Sequence, residues 1–318
     1  MILPKPEISE KEIREVYGQL LLEYANKDRR LVVLNADLAR SDSTLKFKEL
    51  FPERFIDVGV AEANMMGIAS GLANMGLIPF THTFTPFSTR RAFDQITISI
   101  AYADLPVKII GTDPGVTAEL NGGTHMSFED AGMMRNLPNM TVVEPADEVQ
   151  LKALFEQILY YEKPIYVRLY RRRKDRYFID DAKFELGKIA TLKDGRDVTI
   201  ITSGLMLRES IKATQMLKSE GISVRLLNMH TLKPVDNETI IKAAKETSRI
   251  VVAENHSIIN GWGSAVAEVV VENFPVPMKR IGVRDHFGEV GTTDFLLEKY
   301  HMTAKDIYVA SKELLKIF

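Results

Sequence analysis

Near the start of the chain, Ile13, Val16, Tyr17, Leu20, Leu21 and Tyr24 recur at helical spacing among polar positions. That spacing predicts an amphipathic helix. Ser9 and Glu12 stand ahead of it at the separation of a capping box, which predicts where the helix begins. The pattern then changes to short, consecutively apolar or β-branched runs: Leu31–Leu34, Phe55–Val58, Ile78–Phe84, Val107–Ile110, Thr141–Val143 and Ile165–Leu169. Runs apolar on both faces suit parallel strands covered by helices on either side. Ala61–Met75 and Val149–Tyr161 read as helices, the second with Leu151, Leu154, Phe155, Ile158 and Leu159 on one face. The alternation predicts an α/β fold.

Composition shifts at Tyr170–Lys193, where YRRRKDR and then KDGRD flank a short apolar segment. A linker at residues 176–194 would divide the chain into units 1–175 and 195–318. The second unit repeats the alternation. Strands are expected at Val198–Thr202, Val224–Leu227, Ile250–Ala253 and Arg280–Val283. Helices are expected near Leu207–Leu217 (ended by Gly221), Asn237–Lys245, Ser264–Val271 and Ala304–Ile317. Each unit is thus expected to be a mainly parallel sheet flanked by helices. A length of 318 residues fits two cores.

Charge narrows the partners. With 41 Lys+Arg against 43 Asp+Glu, the net charge of −2 suggests neither a nucleic-acid coat nor a polybasic membrane anchor. The absence of cysteine excludes disulfides, thiolate metal sites and a cysteine nucleophile, and fits a reducing compartment. No apolar run reaches the roughly 18 residues a membrane helix needs. The N-terminus MILPKPEISEKEIREVY lacks the basic end and apolar stretch of a signal peptide. A cytoplasmic location is expected.

There is no P-loop, no G-x-S-x-G and no H-E-x-x-H. Gly261-Trp262-Gly263 lies too far beyond its strand for a dinucleotide turn. Asp285, His286 and Glu289 lack metal-ligand spacing and read as a solvated loop. Three clusters in the first unit have more to offer. Glu62 opens a helix rich in Gly67, Ala69 and Gly71, as a dipole-complementing acid or as a functional one. Phe84 and Phe87 sit just after a strand, as core or as a stacking platform. Gly111–His125 is a polar, glycine-containing loop ending in a histidine, poor core material and a common setting for function.

Taken in order, these clusters resemble the C-terminal half of transketolase, its pyrimidine-binding domain followed by its C-terminal domain. The resemblance is carried by ADLARS (Ala36–Ser41), GVAEANM (Gly59–Met65), FTPF (Phe84–Phe87), NGGTH (Asn121–His125) and LPNM (Leu137–Met140). Downstream, LYRR (Leu169–Arg172), GSAVAE (Gly263–Glu268) and FGEVGT (Phe287–Thr292) continue it over nearly the whole chain.

The resemblance implies thiamine diphosphate as cofactor, with Glu62 hydrogen-bonding its pyrimidine nitrogen and Phe84 and Phe87 packing on that ring. It implies that His125 exchanges protons with substrate oxygens, and that Ser41 and Arg171 bind the distal phosphate of a sugar substrate. Asn121 stands where transketolases often carry an Asp that reads hydroxyl stereochemistry, and Thr112 near an expected phosphate-binding His. The resemblance therefore implies retained chemistry and a place in pentose phosphate metabolism, with sugar specificity left open at Asn121 and Thr112.

The family's Gly-Asp-Gly motif, which helps hold Mg2+ and the diphosphate, is missing. The resemblance thus implies one subunit of a split transketolase, with a partner carrying diphosphate and metal in an α2β2 assembly that includes a dimer of this chain. Alternatives are a 2-oxoacid dehydrogenase β subunit feeding a lipoyl carrier, a deoxyxylulose-phosphate-synthase relative, and a non-catalytic regulatory subunit.

Overall fold

The computed structural model describes residues 1–317. Its strands are β1 (Ile2–Ile8), β2 (Leu31–Asn35), β3 (Phe55–Asp57), β4 (Ile78–Phe84), β5 (Lys108–Thr112), β6 (Thr141–Val143) and β7 (Ile165–Leu169). They continue with β8 (Asp175–Phe178), β9 (Ala190–Lys193), β10 (Val198–Thr202), β11 (Val224–Asn228), β12 (Thr231–Lys233), β13 (Ile250–Ser257) and β14 (Met278–Val283).

A seven-stranded sheet has the order β12-β6-β7-β5-β4-β2-β3, parallel apart from β12. A five-stranded sheet runs β14-β13-β10-β11-β9, parallel apart from β9. The expected α/β architecture is present in both. β2, β5, β7, β10 and β11 are buried along their whole length, as strands covered on both faces must be.

Four strands escape the hydrophobic pattern. β1 pairs only with β8, in a two-stranded ribbon, and proline-containing segments are tolerated at such edges. β9, from the stretch expected to be a linker, adds an antiparallel edge to the second sheet. β12 follows β11 in sequence yet pairs with β6 of the first sheet, so the chain returns to the first unit.

The first long helix, Ile13–Lys27, begins at Glu12, whose backbone N–H donates to Glu15 at 2.7 Å. The Ser9–Glu12 box expected from spacing does not form. Ser9 is drawn instead to the ribbon, its N–H donating to Lys174 O and its hydroxyl to Glu148.

The two units meet around Arg168 on β7, fully buried. Its Nε lies 2.7 Å from Asp130, its Nη1 binds Glu144, and its Nη2 donates to Asn255 O on β13 at 2.9 Å. Tyr170 and Ser203, one from each unit, both donate to Glu144. Gly204 has φ +46°, and a Cβ there would stand 2.3 Å from the Tyr170 hydroxyl. A buried cation needs this many partners. No helix among the described residues is long and apolar enough to cross a membrane.

Candidate active site

The carboxyl ends of the parallel strands of the first sheet bring the candidate residues together, the usual place for ligands in open α/β sheets. Ser41 follows β2, Glu62 follows β3, Phe84 ends β4, Asp113 follows β5 and Arg171 follows β7.

Glu62 is the first residue of helix Glu62–Asn74 and is only 3% exposed. Its carboxylate is engaged by Arg91, whose Nη1 lies 3.0 Å from both oxygens. The same guanidinium lies over the Phe87 ring, 3.9 Å from its centroid. After β4, a short turn of helix at Thr85–Ser88 sets the Phe84 and Phe87 rings edge to face, 6.2 Å apart. His125 packs on both, 5.6 Å from Phe84 and 5.2 Å from Phe87. Its Nδ1 is 2.9 Å from the Thr124 hydroxyl, a bond that fixes the ring's orientation.

Arg171 extends the row from the other side. Its guanidinium lies 4.7 Å from the Phe84 centroid and forks onto Asp113 through Nε and Nη2. The Arg171 N–H also donates to Asp113, at 3.1 Å. Burial raises the Asp113 carboxyl above its ordinary range, and Arg171 opposes that rise. Beside this pair lies a cavity of about 120 Å³ lined by Asp113, Glu119, Asn121, Arg171, Arg172 and Arg173. Three arginines face two carboxylates there, Arg171 being paired with Asp113 and Arg173 with Asp175, so the surplus positive charge that favours an anion is that of Arg172.

Ser41 does not line that cavity. It sits in the loop after β2, held by Asn35, whose Nδ2 donates to Asp42 and Thr44 and whose Oδ1 accepts from Leu38 N. Arg14 links it to the row: its Nη1 donates to Ser41 O at 2.8 Å, and its N–H donates to Arg171 O. Thr112 is buried, donating its hydroxyl to Thr83 O.

The sequence pattern does not single out Arg91 or Asp113. Arg91 lies within THTFTPFSTRR and Asp113 within the polar loop, but nothing in the local pattern marks their partners, 29 and 58 residues away.

The two side features resolve simply. At Gly261–Gly263 the helix Trp262–Asn273 offers its N-terminus to the chain's own Glu254, which accepts from Gly263 N at 3.1 Å. Glu289 pairs with Lys299 at 2.7 Å, and His286 stacks on Tyr300.

The fold and the strand-end row define a chain built of a pyrimidine-binding α/β domain and a second α/β domain. Residues 9–174 match the transketolase pyrimidine binding domain, and residues 187–307 match the transketolase C-terminal domain. The chain belongs to the transketolase family, which is generally thiamine-diphosphate-dependent. It is 53% identical over 307 residues to 6-deoxy-6-sulfo-D-fructose transketolase subunit SqwH of a Clostridium species, covering 96% of this chain and 95% of that one. It is 36% identical to an apulose-4-phosphate transketolase subunit of Phocaeicola vulgatus, covering 95% and 97%. A solved structure, a split gene transketolase described as an inactive beta4 tetramer, superposes with a TM-score of 0.88 at 43% identity, covering 96% and 98%. The chain is of the split, beta-subunit type.

Proposed function

We propose that this chain is the catalytic beta subunit of a two-chain transketolase. With a partner subunit that holds the diphosphate and Mg2+, it transfers a two-carbon ketol unit from a ketose with an anionic terminus to an aldose. One observation carries the reading: the row of Glu62, Arg91, Phe87, His125, Phe84 and Arg171 at the carboxyl ends of one parallel sheet, in which Arg91 joins Glu62 to Phe87.

Arg91 provides the test of fit for the cofactor. A flat group with N–H aimed at Glu62 already lies on the Phe87 face, the combination of face and carboxylate that an aminopyrimidine ring uses. Glu62, Phe84 and Phe87 would hold that ring. Thiamine diphosphate, when bound, supplies an electron sink for the charge left as the ketose C–C bond breaks.

The remaining work falls to the chain's own side chains. Glu62 would hydrogen-bond the ring nitrogen and fix its orientation. His125 has Nδ1 engaged by Thr124, which leaves Nε2 to donate to and accept from substrate oxygens. Asn121 on the cavity wall reads a substrate hydroxyl. Asp113 occupies Nε and Nη2 of Arg171, leaving Nη1 for the substrate's anionic end.

Relatives named for a sulfonated and a phosphorylated sugar support an anionic terminus. A solved relative described as an inactive beta4 tetramer supports a chain that self-associates and needs its partner. Gly67 and Gly71 leave open space on the exposed side of the Glu62 helix, with Val60 and Met75 exposed at its two ends, and this supports an α2β2 assembly packed through that helix.

The test is ketol transfer by the mixed subunits from ketoses differing only in a terminal phosphate, sulfonate or hydroxyl. Turnover of the anionic donors over the neutral one is expected. Equal rates for all three, or transfer only from 2-oxoacids to a lipoyl carrier, would refute the reading.

A further inference from the structure

The loop that carries Asn121 and His125 leaves the first sheet at Thr112 and is fastened to the second unit along its length. Asn255, fully buried at the end of β13, closes on its base with both halves of its amide. Nδ2 donates to Pro114 O at 2.9 Å, and Oδ1 accepts from Val116 N at 3.0 Å. The Asn255 carbonyl is itself held by Arg168 Nη2, so the amide is fixed before it meets the loop. Between the two bonded residues stands Gly115, with φ +59°. A Cβ there would lie 2.2 Å from Asn255 Oδ1, so only glycine allows this approach.

A second fastening sits midway along the loop. Glu119, at φ 50°, accepts from Thr293 N at 3.3 Å and from the Thr293 hydroxyl at 2.5 Å. Glu119 and Thr293 both line the arginine-rich cavity, so this bond shapes the cavity wall. Beyond it, Gly123 lies against the carbonyl of Gly288, which a Cβ would approach to 2.3 Å. Ser257 N then donates to Phe128 O at 2.8 Å. The first unit holds the loop at its two ends, through Arg171 and Leu169 on Asp113 and through Arg90 Nη2 to Thr124 O at 3.1 Å with His125 against Phe84 and Phe87.

From this arrangement we infer that Asn255 and Thr293 are positioning residues, through which the second unit sets the loop presenting Asn121 and His125 to substrate. The inference rests on the role proposed above for that loop. Neither residue is part of the Glu62–Phe87–His125 row. Their bonds end on loop backbone and on Glu119, and small displacements of substrate-binding groups cost rate steeply. Glu62, Phe84 and Phe87 are set by other elements, and the loop meets the two rings through His125, so these bonds act on the substrate side of the rings and do not set cofactor affinity.

The experiment uses the full chain, alone and mixed with its partner subunit, with Asn255→Ala, Thr293→Val and the hydroxyl-preserving Thr293→Ser. Hydrogen exchange on the chain alone should show amides 115–126 exchanging about tenfold faster in Asn255→Ala and Thr293→Val. Amides of β4 should keep their rates, and Thr293→Ser should resemble the parent. In the mixed enzyme, kcat/KM for the donor should fall about tenfold while half-saturating thiamine diphosphate stays unchanged.

Unchanged loop exchange in the folded variants overturns the inference, as does loss of cofactor affinity in step with kcat/KM. If Asn255→Ala does not fold, the Thr293 pair decides. An unsubstituted mixture that is inactive counts against the proposed function instead, and loop exchange then decides the inference alone.

Discussion

Arg91 holds both carboxylate oxygens of Glu62 with a single nitrogen, 3.0 Å from each, while its guanidinium covers the Phe87 ring. Glu62 is buried, whereas the Arg91 side chain is 45% exposed, so the arginine closes the site from the solvent side. In this pair Glu62 accepts hydrogen bonds. To donate one to a cofactor ring nitrogen it must take a proton and release Arg91. The pair therefore competes with the pyrimidine ring for one acceptor and one aromatic face.

Arg91→Met is expected to lower the half-saturating thiamine diphosphate concentration of the mixed enzyme about fivefold, since a pair with one exposed partner is worth about 1 kcal/mol. Cofactor titration by activity or fluorescence quenching reads this directly. An unchanged or weaker cofactor affinity would show that Arg91 does not occupy the ring's place.

The Asp113–Arg171 fork predicts a different signature at the far end of the row. Arg171→Lys keeps the charge but cannot serve Asp113 and a substrate anion at once. Losing a charge-assisted hydrogen bond costs about 1.5–3 kcal/mol, so kcat/KM for an anionic ketose should fall about tenfold or more. A donor with a neutral terminus should be almost unaffected. Equal losses on both donors would place the anion elsewhere.

Glu254 gives a pH dependence. It is fully buried with Oε2 unpartnered, and burial raises its carboxyl from 4.5 to about 8. The folded chain therefore binds this proton more tightly than the unfolded chain. That contribution to stability is complete below about pH 4.5 and is lost as pH rises toward 8. Glu254→Gln, which cannot ionise, should remove this component, so its melting temperature should gain on the parent between pH 5 and pH 8. Parallel melting curves across that range would contradict the assignment.

How far the sequence reveals these features depends on how local their causes are. β2, β5, β7 and β10 are legible because burial on both faces writes consecutive apolar residues into the chain. β12 is three residues long, and its partner β6 lies far away in sequence, so no local pattern marks it. Ser9 misleads for a related reason: its spacing from Glu12 is right for a cap, but the β1–β8 ribbon claims it first. Glu62, Phe84, Phe87 and His125 are visible locally as an acid, two aromatics and a histidine at strand ends and in a polar loop, but each also fits a plain structural reading, and only the resemblance gives them roles. Arg91, Asp113 and Asn255 are not visible in this way, because each acts through a contact that only the folded sheets create.

The central claim is a catalytic beta subunit completed by a partner, and mixing tests it most directly. This chain, a partner subunit carrying Gly-Asp-Gly, and their mixture should be assayed for ketol transfer with thiamine diphosphate and Mg2+, with Glu62→Ala in parallel. The account predicts activity only in the mixture, rising until the subunits are equal in number, and lost in Glu62→Ala although the complex still forms. Turnover by this chain alone, or full activity with Glu62→Ala, would contradict it.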